Sequence, residues 1–122
     1  MNDLTWLDAL LTLVVAVFVA VGTAAPAPRF GQRGTAPGDF NFPGGLAWHP
    51  ATGLAVVDAL NFRVQVLAPD GAPRVVFGQK GDAAGDFARP RDVAIDAAGH
   101  LYVVDNQFEN IQVFDVAGRL LM

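Results

Sequence analysis

The side chains able to do chemistry in this chain come in pairs. The two histidines, His49 and His100, each fall in a turn-forming tract, His49-Pro50-Ala51-Thr52-Gly53 and Ala97-Ala98-Gly99-His100. An imidazole can ligate a metal or move a proton. A metal site needs several such ligands at coordinating spacing, and neither histidine has them nearby in a chain without cysteine. Asp58 and Asp105 end two apolar runs, Leu54-Ala55-Val56-Val57-Asp58 and Leu101-Tyr102-Val103-Val104-Asp105. A catalytic carboxylate occupies one place in one site. Two acids at equivalent places read instead as caps that accept hydrogen bonds from local backbone N–H groups. No Ser–His–Asp arrangement is legible. The residues thus predict no catalytic group, no metal ligand and no cofactor.

Two glycine-rich tracts look at first like phosphate loops: Phe30-Gly-Gln-Arg-Gly-Thr-Ala-Pro-Gly-Asp-Phe40 and Phe77-Gly-Gln-Lys-Gly-Asp-Ala-Ala-Gly-Asp-Phe87. Neither ends in Gly-Lys-Ser/Thr and neither opens a helix, so the phosphate reading fails. Gly31, Gly34 and Gly38, with Gly78, Gly81 and Gly85, are read as structural, letting a loop wrap over Phe40 or Phe87. What remains is recognition chemistry. Arg63, Arg89 and Arg91, with the aromatic residues Trp48, Phe62 and Phe108, are the kinds of residue that anchor a partner. Ordinary rim packing and solvation is the competing reading for each.

These residues must be positioned by a repeat. The two tracts stand at an offset of 47 residues (Phe30 against Phe77), and the offset continues through Pro43/Pro90, Ala47/Ala94, Asp58/Asp105, Gln65/Gln112 and Gly71/Gly118. In the first unit, 30–76, short apolar runs at Leu46–Trp48, Leu54–Asp58, Arg63–Leu67 and Arg74–Phe77 are separated by Pro- and Gly-containing turns. The second unit, 77–122, repeats the plan at Asp92–Asp96, Leu101–Asp105, Asn110–Phe114 and from Arg119 onward. Four short strands per unit of this length predict an all-β fold of two four-stranded β-propeller blades. Two blades do not close a ring. The chain therefore reads as a fragment or truncated form of a longer propeller, or as one part of a ring assembled from several copies.

The first 22 residues are different in kind. Leu4–Gly22 is 19 residues of mostly apolar sequence, without charge from Ala9 on. It predicts a hydrophobic helix, either a transmembrane anchor or a signal peptide. A Val-rich strand from a degenerate earlier repeat is the third alternative. Residues 23–29 form a Pro/Ala linker. Arg29 and Arg33 follow the segment, which favours the cytoplasmic side for what comes after an anchor. Removing Asp3 and Asp8 from the formal charge of −4 leaves −2 for the remainder, a balance that argues against nucleic acid as partner.

The repeat units resemble the NHL repeat, in particular its bacterial-type members. The resemblance rests on Pro43-Gly44-Gly45-Leu46-Ala47, Val57-Asp58 and Asn61-Phe62-Arg63-Val64-Gln65-Val66 in the first unit. In the second it rests on Val93-Ala94-Ile95-Asp96, Gly99-His100-Leu101-Tyr102-Val103-Val104-Asp105 and Ile111-Gln112-Val113-Phe114. Phe62 stands where the family carries histidine, and His49 where it carries aspartate. The resemblance implies a six-bladed propeller that acts as a non-catalytic scaffold and holds a protein or other ligand through its loops. Membrane-associated or exported placement, on the periplasmic or extracellular side, goes with it. Its rival is a piece of a metal-dependent propeller enzyme, similar to amidating lyases or lactonases, whose active site lies in other blades.

Overall fold

The computed structural model describes residues 29–122. The hydrophobic segment 1–22 and residues 23–28 of the linker lie outside the described residues. Within 29–122, no helix is long and apolar enough to cross a membrane.

Among the described residues, seven strands form two antiparallel sheets. The first contains β1 (Pro43–His49), β2 (Gly53–Asp58), β3 (Arg63–Leu67) and β4 (Pro73–Phe77), in that spatial order. The second contains β5 (Pro90–Ile95), β6 (Leu101–Asp105) and β7 (Asn110–Phe114). Val, Ile and Leu favour these pleated segments, and turns containing Gly, Pro or Asp follow β1, β3, β5 and β7. Each sheet is a meander of neighbours in sequence, the order that short loops permit.

The sheets share one register. Pro43 pairs with Asp58 and Pro90 with Asp105, and both first strands carry a bulge directly after the proline. A proline has no N–H to give a ladder, so it sits where the pairing begins. The internal repeat in the sequence is thus a repeat of hydrogen bonding as well.

One expectation needs correction. The second unit was to be four-stranded, but its sheet has three strands. Arg119–Met122 returns antiparallel after the Asp115–Gly118 turn and makes an isolated bridge, Leu120 against Phe114. The Leu121 N–H donates to the Val113 carbonyl at 2.6 Å. Pairing over so few residues gives a bridge instead of a ladder comparable to that between β3 and β4.

The core lies between the sheets. Ala55, Val57, Val64 and Val66 of the first sheet meet Val93, Leu101, Val103 and Phe114 of the second. The loop joining them, 78–89, contributes Phe87, which is fully buried in that seam with its ring centroid 5.7 Å from that of Phe114. Phe77 also packs against Phe114, with ring centroids 4.6 Å apart and the rings tilted by 42°. Gly78 has φ +100, and a Cβ there would collide with the Phe87 ring. The glycine lets the loop close onto the phenylalanine it covers. Gly31 does the same over Phe40, where a Cβ would come within 2.8 Å of the ring.

Removal of the Phe87 ring leaves a cavity that two sheets must close around. Phe87→Ala is expected to lower the unfolding free energy by about 3–5 kcal/mol in urea titrations. A loss under about 1 kcal/mol would show that the seam does not depend on this ring.

Candidate functional site

The long loops and the tight turns lie at opposite ends of the strands. Loops 30–42, 59–62, 78–89 and 106–109 gather at the end where β1 and β5 begin. Of the six residues expected to bind a partner, Phe62, Arg63, Arg89, Arg91 and Phe108 belong to this end. Trp48 lies further along β1, half exposed on the face turned away from the second sheet.

Arg63 and Asp58 organise this end. The Asp58 carboxylate is fully buried. Its Oδ1 accepts the Asn41 N–H at 2.7 Å. Its Oδ2 accepts Arg63 Nε–H at 2.7 Å, Asn61 Nδ2–H at 3.0 Å and Gln65 Nε2–H at 3.1 Å. The rest of the Arg63 fork donates to the carbonyls of Thr35, Ala36 and Asp39. Gln65 donates to the Asp39 carbonyl and accepts the Gly38 N–H. The guanidinium is therefore committed to holding the glycine-rich loop on its own sheet. A buried charge must be paired and hydrogen-bonded, and here both halves are.

Asp105 performs the same task with other donors. Its oxygens accept the N–H groups of Ala88, Arg89, Gln107 and Phe108. Gln112 repeats Gln65, accepting from Gly85 and donating to Asp86. Asn110 stands where Arg63 does, so this loop has no guanidinium strap.

The histidines are turn formers. His49 Nδ1 accepts the N–H groups of Ala51 and Thr52. That leaves the proton on Nε2, which lies 3.3 Å from the Ala97 carbonyl of the other sheet. Asp96 fills the same place in the second unit and accepts from Ala98 and His100. The His100 N–H, with the Tyr102 hydroxyl, holds the Asp96 carboxyl below its ordinary value. Tyr102 is raised in return, since its proton is held by that carboxylate. Asp115 is lowered by the Arg119 N–H. Among the described residues, no group of three His, Cys, Asp or Glu side chains is placed to hold a metal ion.

Three of the expected residues do meet. Phe62, Arg89 and Arg91 line a groove of about 740 Å³ between the starts of β1 and β5. Pro90, fixed in φ, separates the two arginines. Among the described residues, neither guanidinium has a carboxylate within salt-bridge distance. Asp92 also lines the groove, with Oδ1 accepting the Val93 N–H. Phe62 lies beneath Lys80, whose Nζ is 5.4 Å from the ring centre. Phe108 is elsewhere, lining a shallow depression with Asn110 and Ile111.

The sequence reading missed Phe42 and Leu60, which form the apolar wall of the groove. Phe42 is 73% exposed. A signal was present: Phe42 occupies the place in the first unit that Arg89 occupies in the second. Phe42 and Phe62 both hold left-handed backbone, at φ 59 and 55. That conformation costs a residue with a Cβ roughly 1–2 kcal/mol, and such strain gathers where a loop presents something.

Residues 87–114, from the Phe87 plug through β7, match the NHL repeat. They are an NHL repeat, a β-propeller-type module of a kind that commonly mediates protein–protein contact. No curated protein matches the chain.

Two expectations test the electrostatics. Arg63→Ala strands the buried Asp58 charge and is expected to cost about 3 kcal/mol in urea unfolding, while Asn110→Ala, at the equivalent exposed place, changes stability by less than about 0.5 kcal/mol. Equal losses would contradict the strap. The second concerns pH. Asp96 and Asp115 titrate below 3.8 when folded. Their contribution is therefore present above that value and is lost as pH falls through the lower folded pKa. Asp96→Asn and Asp115→Asn should be less stable than the parent at neutral pH, with the gap closing in acid. A gap independent of pH would refute the assignment.

Proposed function

We propose that the chain is a non-catalytic interaction module on an NHL propeller scaffold, with the first sheet a diverged second copy of the repeat. Its groove holds a protein segment in which an acidic side chain neighbours apolar ones. The observation that carries this reading is the groove itself. Two phenylalanines in strained left-handed backbone face two guanidiniums without salt bridges among the described residues, set on either side of a rigid proline. Aromatic rings supply contact area at low entropic cost, and arginine supplies planar recognition of a carboxylate. The apolar sequence of residues 4–22 supports a membrane-associated or exported setting for this module, through a retained anchor or an export signal.

A displayed library of random peptides panned against the detergent-solubilised full chain tests the proposal. Peptides pairing Asp or Glu with aliphatic or aromatic residues should be enriched. Arg89→Glu/Arg91→Glu should weaken the enriched peptides by about tenfold or more, in keeping with the loss of charge-assisted contacts. Absence of enrichment, or equal binding by the double variant, would refute the groove reading.

A further inference from the structure

The two sheets meet along an interface whose buried core is separate from the groove. It is heterologous: one face of the first sheet meets the opposite face of the second. Val93 and Ile95 of β5 lie on the contacting face of the second sheet, while Val57 and Val64 lie on that of the first. Shifting each by the 47-residue repeat gives the faces left over at either side. Leu46 and Trp48 stand where Val93 and Ile95 do, and Val104 and Ile111 stand where Val57 and Val64 do.

The exposures follow that scheme. Leu46 is 63% exposed where Val93 is 5%, and Ile111 is 60% exposed where Val64 is 0%. Phe40 repeats the pattern, since its counterpart Phe87 is fully buried in the seam while Phe40 is half-buried beside the uncovered face. The chain thus carries both halves of an interface it has already made once internally.

We infer that copies of this chain associate head to tail, the Leu46–Trp48 face of one packing on the Val104–Ile111 face of the next. The partner is a second copy because the complementary surface is present on the same chain, in the register of the established seam. A heterologous contact propagates until rotation closes it. Propellers close at roughly four to eight blades, and copies that each contribute the two sheets described here reach that range at about two to four. Closure removes both uncovered faces.

The test uses the full chain in dodecyl maltoside, with the protein mass read by sedimentation. The parent should give one discrete oligomer in the range above. Trp48→Glu blocks one face and Ile111→Glu the other, so each variant alone should be monomeric. Mixed in equal amounts they should form a heterodimer, since one intact pair of faces remains between them. Both side chains are exposed within a single chain, and circular dichroism matching the parent confirms that each variant folds. A monomeric parent overturns the inference, as happens if residues 1–28 of the same chain cover the face. An oligomer unaffected by either variant overturns it too, pointing to association through residues 4–22. A mixture that stays monomeric, or dependence on one face alone, also overturns it.

Discussion

Asp58 and Asp105 are acids with no access to water, placed where the second strand of each sheet ends. Carrying a charge there is tolerable only when hydrogen bonds replace the lost hydration. Each carboxylate obtains part of those bonds from neighbours in sequence and part from the loop that leads into the first strand, Asn41 for Asp58 and Ala88 with Arg89 for Asp105. The acid therefore fixes where the preceding loop arrives and where the first strand begins. Phenylalanine plugs, glutamine braces and proline starts fall into place around it.

The two sheets solve this problem differently. Around Asp58 the donors are mostly side chains, and Arg63 extends the network to three loop carbonyls. Around Asp105 the donors are backbone N–H groups. Among the described residues, no buried side-chain polar atom lacks a partner, so both solutions are complete. The second leaves its arginines, Arg89 and Arg91, outside the network and able to face a ligand. The first unit commits Arg63 to architecture, while the second presents Arg89 and Arg91 at the groove.

That division explains how the candidate site was legible in part. Arginine beside an aromatic residue suggested recognition at Arg63–Phe62 as strongly as at Arg89–Pro90–Arg91. Only the folded loop shows that Arg63 is surrounded by carbonyls 24 to 28 residues away in sequence. Phe42 and Leu60 went unnoticed because hydrophobic residues in a loop look like core. Their exposure depends on which neighbouring loops fail to cover them. His49 serves backbone N–H groups two and three residues along the same chain, a contact that a turn-forming tract makes legible in sequence.

The sequence by itself determined the repeat, the positions of the strands and the recurring acids, because these are set by local pattern and by periodicity with no long-range information. β3, β6 and β7 have the bounds that alternation and turn residues predict. The tertiary structure decided which charges are consumed and which remain for a partner. It also decided which sheet faces stay uncovered among the described residues. Those outcomes depend on contacts between segments far apart in the chain, where burial and hydrogen-bond geometry, rather than residue type, settle what each side chain can do.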